Sequence, residues 1–240
     1  MFLSIIIPTY NEAENISKLL EQICQRVLEI ECEILIVDDN SPDNTAGYVE
    51  KFKDDYSIKN QNSSISIHVI KRKKKEGIVR ACVDGLKNSK GENILMMDAD
   101  FSHPPDYIPI LINELMNDDN CDIVIASRYM KGGKIIGWPL TRRIISKGAT
   151  ILAQFLLKLE FSEIMGGFYI FRKKITNNVE FTTNGQKFFM ELLVKSDYKK
   201  VKDVPMTFKN RTEGKSKFNF ADAKNFISSL IELRKFKKLK

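Results

Sequence analysis

Through its first half the chain alternates short apolar runs with amphipathic stretches, and that alternation leaves few folds open. "FLSIIIPTY", "CEILIVDD", "ISIHVIK", "NILMMDAD" and "CDIVIASRY" read as strands. Between them, "NEAENISKLLEQICQRVLEI" sets Ile16, Leu19, Leu20, Ile23, Val27 and Leu28 at helical spacing behind an acidic first turn. "AGYVEKFKDDY", "GIVRACVDGLKNSK" and "PDYIPILINELMND" also read as helices. Continuous apolar strands separated by helices predict an α/β fold, a mostly parallel sheet covered on both faces. In such sheets ligands lie beyond the carboxyl ends of the strands. "PTYNE", "DDNSPD", "DADFS" and "SRY" each follow a strand, so they are predicted to converge on one rim.

The second half is less regular. Helices are predicted over 140–160 and 185–197, and strands over 166–174 and 201–211. The tail gathers Phe226, Ile227, Leu230, Ile231 and Leu233 on one side and ends in Arg234, Lys235, Lys237, Lys238 and Lys240. Residues 1–217 read as one catalytic domain and 218–240 as a basic amphipathic helix that faces a membrane or a partner. The net charge of +7 hides a polarity: residues 1–127 sum to −9 and residues 128–240 to +16. A basic half implies an anionic partner or a lysine-rich solvated surface. Nucleic-acid modules interleave aromatic with basic residues. Here the aromatics sit in apolar runs and the rim is acidic, so no nucleic acid is expected.

No apolar run reaches the ~18 residues of a membrane span, and Pro8 breaks an N-terminus that reads as a strand, not a signal peptide. Membrane association is therefore expected to be peripheral. Four scattered cysteines without a CxxC pair read as reduced thiols in a cytosol-facing protein.

Asp98 and Asp100 stand one residue apart at the end of an apolar run. Two carboxylates this close repel, and one takes up a proton unless a cation intervenes. With no His/Cys set around them they suit a hard ion, Mg²⁺ or Mn²⁺, whose shell substrate phosphates complete. The alternative is a cap, Asp100 or Ser102, on the helix that begins near Pro104. His103 reads as filling that loop, His68 as packed in its strand, and "KRKKKEG" as a solvated edge that approaches phosphates.

Taken in order, "PTYNEAENI", "VDDNSPDNT", "MDADFSHPP", "SRY" and "FKNRTEGKSK" resemble the family 2 glycosyltransferases. These have the GT-A fold, a Rossmann-like three-layer arrangement around a mostly parallel sheet, and the dolichyl-phosphate mannose synthases are the nearer branch. The resemblance runs from Ser4 to about Lys217. It implies a nucleotide pocket lined by Pro8, Tyr10, Glu12, Val37 and Asp39. It implies sugar-nucleotide contacts from Asp98 and Ala99, and a divalent cation held by Asp100 with Asp98. Ser102 stands where archaeal relatives have a glutamine metal ligand and is implied as a third metal ligand, weak or through water, and "EGIVRA" keeps only Gly77 of a "GLG" turn.

Phosphate contacts are implied for Arg128, Arg211 and Lys217. Arg142 and Arg143, alongside Arg128, are candidates for an acceptor phosphate, because a guanidinium presents a planar fork of donors; the alternative is surface charge at a helix start. The implied reaction moves mannose from GDP-mannose to dolichyl phosphate with inversion, with Asp100 and Arg142 as its catalytic groups. A phosphate monoester is already dianionic near neutral pH, so no carboxylate is expected to be indispensable as a base. The product would feed protein N- and O-mannosylation and GPI-anchor synthesis at the cytosolic face of the endoplasmic reticulum, with small transmembrane subunits as candidate partners. The helices near 144–159 and 220–239 would meet lipid, or be core. Rival readings are a dolichyl-phosphate glucose synthase using UDP-glucose and a non-catalytic basic scaffold; the absent N-terminal span and "GKSK" favour mannose over the first, intact Asp98 and Asp100 oppose the second.

Overall fold

The apolar runs of the first half assemble edge to edge in the computed structural model, which describes residues 2–182, 187–210 and 220–239. The strands are β1 (Phe2–Thr9), β2 (Glu31–Asp38), β3 (Ile65–Lys71), β4 (Asn93–Met96), β5 (Cys121–Ser127), β6 (Lys134–Ile136), β7 (Tyr169–Arg172), β8 (Lys200–Pro205) and β9 (Thr207–Lys209). The helices are α1 (Ile16–Arg26), α2 (Thr45–Lys59), α3 (Ile78–Asn88), α4 (Ile108–Met116), α5 (Leu140–Leu157), α6 (Phe188–Lys195) and α7 (Phe220–Leu239). A seven-stranded sheet runs β3-β2-β1-β4-β7-β5-β8, and β6 pairs with β9 in a second, two-stranded sheet.

Alternate residues of each central strand serve different layers, as the period of two demands. Leu3, Ile5 and Ile7 of β1 pack with α1, α2 and α4, while Ile6 packs on the other face with α3, α5 and α6. β2 divides in the same way, Ile34 and Ile36 against Leu35 and Val37. Each such fully buried aliphatic side chain contributes about 1.5–3 kcal/mol, and both faces are covered, which is why the strands read as unbroken apolar runs.

Parallel pairing sets the register Thr9↔Asp38 between β1 and β2 and Ile6↔Met96 between β1 and β4. The residues that follow β1, β2 and β4 therefore emerge together. β7 is the exception: it lies antiparallel between β4 and β5, with Met96↔Tyr169 and Ile125↔Tyr169. Its reversed direction delivers the segment before it, 160–168, to the same rim as the carboxyl ends of its neighbours.

The single strand expected over 201–211 divides at Met206. Pro205 closes β8, the Met206 N–H donates to the Ser127 carbonyl (2.8 Å), and its own carbonyl accepts from the Lys134 N–H (3.0 Å). The chain thus passes from the main sheet to β6, a strand the sequence did not announce. Helix α1 begins at Ile16, so its expected acidic first turn lies before the helix. The boundary placed at 217 falls outside the described residues, but Leu230 and Leu233 of α7 are buried with α5 and α6 in one core.

Candidate active site

The rim loops enclose a cavity of about 1690 Å³, larger than the ~300–1,000 Å³ typical of small-molecule pockets. Pro8, Asp98, His103, Arg128, Trp138 and Arg142 are among its walls.

The acidic motif is a tight turn. The Asp98 N–H donates to His103 Nδ1 (3.0 Å), and Asp100 Oδ1 accepts from the Ser102 N–H (3.1 Å). Phe101 holds left-handed backbone at φ 58°. His103 is buried, stacked on Phe168 at 5.2 Å and edge-on to Phe208. Accepting at Nδ1, it carries its proton on Nε2; burial pushes its pKa down against the pull of Asp98 and Asp100. It fills the loop, as expected. The cap alternative does not describe this turn: the following 3₁₀ turn, Pro105–Tyr107, starts from Pro104 without a side-chain cap.

The Asp98 side chain is 36% exposed and faces the cavity, whereas Asp100 and Ser102 are buried. Among the described residues no lysine or arginine pairs with Asp98, and no cluster of three acidic, histidine or cysteine ligands exists. The protein therefore offers carboxylate oxygen and an open side. That donor set fits a hard cation completed by phosphate and water. Ser102 contributes its backbone to Asp100, and Ala99 is buried beside them. Gly167 backs onto this turn. A Cβ there would lie 2.9 Å from Asp98 Oδ1 and 3.0 Å from His103 Cε1, so only glycine lets the loop approach.

Val37 is fully buried and Tyr10 is partly exposed, with the Lys75 ammonium 3.5 Å from its ring centroid, and neither is among the cavity's walls. Glu12 accepts from Asn15 Nδ2 (2.9 Å) and its N–H donates to Thr45 Oγ1 (2.9 Å). Asp39 is occupied by scaffolding. It accepts from Arg72 Nη1 (2.5 Å) and from the N–H groups of Glu76 (2.9 Å) and Gly77 (2.8 Å). Arg72 also meets Glu76 and Asp84 and is 6% exposed. The basic run is therefore a solvated edge at Lys71, Lys73, Lys74 and Lys75; its arginine is an internal strut that pins the loop over 72–77. His68, expected to pack, is exposed on the edge strand β3, because an alternating strand turns every second residue outward.

The cavity also has a cationic wall. Ser127 Oγ accepts from the N–H groups of Tyr129 (3.1 Å) and Met130 (3.2 Å), which shapes the turn presenting Arg128. Arg128 Nε lies 2.8 Å from Glu163 Oε2 in a buried ion pair whose N–H is not aimed along the contact. Burial pushes the Glu163 carboxyl up, and Arg128 opposes that. Arg142 stands over the Trp138 ring at 4.0 Å and reaches Asn210 Oδ1 at 3.4 Å. Arg143 is exposed and donates to the Ile135 carbonyl (2.9 Å), so it braces β6 instead of lining the cavity. Arg211 and Lys217 lie outside the described residues. Glu163, Trp138 and Lys187 line the cavity although the sequence did not single them out.

Comparison with known proteins adds four findings. The description "Glycosyl transferase family 2" matches residues 4–179. A dolichol-phosphate mannosyltransferase of Pyrococcus furiosus is 37% identical over 98% of this chain, which spans 64% of that protein's length. A dolichol-phosphate mannosyltransferase of Mycosarcoma maydis is 32% identical over 98% of this chain and 79% of its own. The solved mannosyltransferase PcManGT of Pyrobaculum calidifontis, in complex with GDP-Man and Mn²⁺, superposes with a TM-score of 0.62 at 16% identity, over 88% of this chain and 57% of that one. At that identity the likeness is one of fold.

Proposed function

The chain belongs to glycosyl transferase family 2, and on that premise we propose that it transfers mannose from GDP-mannose to dolichyl phosphate with inversion. The observation that carries this reading is that Asp98, Arg128 and Arg142 line one cavity. The carboxylate suits a cation and its diphosphate; the arginines suit a second phosphate.

In the proposed reaction a phosphate oxygen of the acceptor attacks the anomeric carbon of mannose, and the bond from that carbon to the β-phosphate of GDP breaks. Asp98 and Asp100 would hold Mg²⁺ or Mn²⁺, which neutralises charge on the departing diphosphate. Arg128 and Arg142 would orient the acceptor phosphate. No side chain needs to accept a proton, because the nucleophile arrives deprotonated. Pro8, Tyr10, Glu12 and Val37 would border the nucleotide, with Asp39 fixing the loop beside it; Arg211 and Lys217 are proposed phosphate ligands by resemblance.

The lipid acceptor requires access to a bilayer. Among the described residues no helix is long and apolar enough to cross a membrane. The α5 surface nevertheless exposes Leu140, Ile144, Ile145, Ile151 and Phe155, and α7 adds Ile231 and Phe236. Those faces are not core. They support peripheral docking at the cytosolic face of the endoplasmic reticulum, with the basic tail meeting anionic lipid or a small transmembrane subunit, in service of protein mannosylation and GPI-anchor synthesis.

The test is transfer by the purified chain from labelled GDP-mannose or UDP-glucose to a short polyprenyl phosphate, with and without chelator. Mannose transfer abolished by chelation and by Asp100→Ala is expected. Glucose transfer, or turnover that survives both treatments, would overturn the assignment.

A further inference from the structure

Trp138 is the only tryptophan in the chain, and it sits where two guanidiniums meet. Arg142 Cζ is 4.0 Å and Arg128 Cζ 4.9 Å from its ring centroid. Phe208 meets the ring edge-on at 5.2 Å and also carries Arg128 at 4.9 Å. The indole is 8% exposed and lines the cavity, and among the described residues its Nε1–H has no acceptor.

Two like charges gathered at one ring repel each other unless something offsets that repulsion. Of the two arginines, Glu163 pairs with Arg128, and Asn210 Oδ1 accepts from Arg142. The attraction the two cations share is the negative face of the indole, which holds a guanidinium best among the aromatic side chains. The residues are also distant in sequence terms: Arg128 follows β5, while Arg142 lies in the first turn of α5, with Trp138 between them in the connection. An anchored ring in that connection is what fixes the spacing of the two cations. A buried indole N–H without an acceptor among the described residues is uncommon, and it leaves a donor on the cavity wall for a ligand oxygen.

We propose that Trp138 is a positioning residue for the acceptor: its ring gathers Arg128 and Arg142 into one clamp for a phosphate monoester. The inference rests on the reading that these arginines hold the acceptor phosphate. It adds the residue that sets their separation. It also places the phosphate against the ring, close enough to change the indole's surroundings.

Because the tryptophan is unique, the intact protein reports on the clamp directly. Titrating inorganic phosphate, and then a short polyprenyl phosphate, should shift the fluorescence emission with saturation, and Arg142→Gln should weaken that response. Trp138→Leu should raise the acceptor KM roughly tenfold, the scale of one strong cation–π contact, with the KM for GDP-mannose within twofold. Trp138→Phe, which keeps a ring, should recover most of that loss. Emission indifferent to both phosphates would overturn the proposal, as would an unchanged acceptor KM in Trp138→Leu while Arg142→Gln raises it. If Arg142→Gln and Arg128→Gln both leave the acceptor KM unchanged, the underlying reading of the arginines fails instead, and the role of Trp138 with it.

Discussion

Replacing Gly167 by alanine should injure catalysis far more than stability. A Cβ at this position would stand 2.9 Å from Asp98 Oδ1, 3.2 Å from Oδ2 and 3.0 Å from His103 Cε1. Ordinary carbon–oxygen contact begins roughly 0.5 Å further out, on the scale of the ~3.5–4.0 Å optimum for packed atoms. The His103 contact asks for only a few tenths of an ångström from a ring held by Phe168 and Phe208. The closer contact is with Asp98, which yields readily because its carboxylate is 36% exposed at the end of a rotatable side chain. The strain therefore leaves through the carboxylate, and overpacking costs the fold no more than about 1 kcal/mol, the low end of its usual range. The carboxylate, however, moves by a substantial fraction of 1 Å, and misplacement on that scale costs up to about 100-fold in rate. We expect kcat/KM to fall about 10- to 100-fold and the Mn²⁺ concentration for half-maximal transfer to rise. The assay is labelled transfer across a manganese series, beside a thermal melt. A variant with the wild-type metal requirement and a large loss of Tm would refute the reasoning.

Arg72→Met strips a buried partner from Asp39, the two side chains being 6% and 5% exposed; urea titration should show about 3–5 kcal/mol of lost stability, and wild-type stability would show the strut to be dispensable. Its loosened loop should also raise the KM for GDP-mannose. Ile144→Ser with Phe155→Ser removes two of the most exposed apolar side chains of α5; sedimentation with anionic vesicles should weaken by roughly 10-fold or more, at ~1.5–3 kcal/mol per large apolar group, while transfer to a short soluble acceptor persists. Transfer should decline as pH falls through about 6, where the acceptor phosphate dianion takes up a proton; a flat profile down to pH 5 would argue for a different nucleophile.

Where the chain moves in one direction, its rim was readable. β1, β2, β4 and β5 are apolar runs that end in polar turns, and a parallel sheet must bring such ends together. Asp98, Pro8 and Arg128 arrived on the cavity for that reason. Glu163 did not announce itself because "GGFYIFRKK" shows the same periodicity whichever way the strand points. Only the antiparallel pairing of β7 puts the segment before it on the rim. Arg72 was hidden among four lysines, and its partners Asp39 and Asp84 lie 33 and 12 residues away. Arg142 and Arg143 are neighbours in sequence, yet a helix turns successive residues by about 100°. One therefore reaches the cavity and the other a backbone carbonyl. The apolar stripes of α5 looked equally suited to core or lipid, and only the packing shows that its C-terminal part, at Ala153 and Leu157, shares a core with α7 while Ile144 and Phe155 stay exposed.

Calorimetric titration of Mn²⁺ into the protein held with saturating GDP is the most direct test. The turn at Asp98 and Asp100 should bind one equivalent, tightly only when GDP is present, and Asp98→Asn with Asp100→Ala should abolish that binding while the melt stays cooperative. Undiminished Mn²⁺ binding in the double variant, or GDP binding indifferent to the metal, would contradict the assignment of this corner as the cation site.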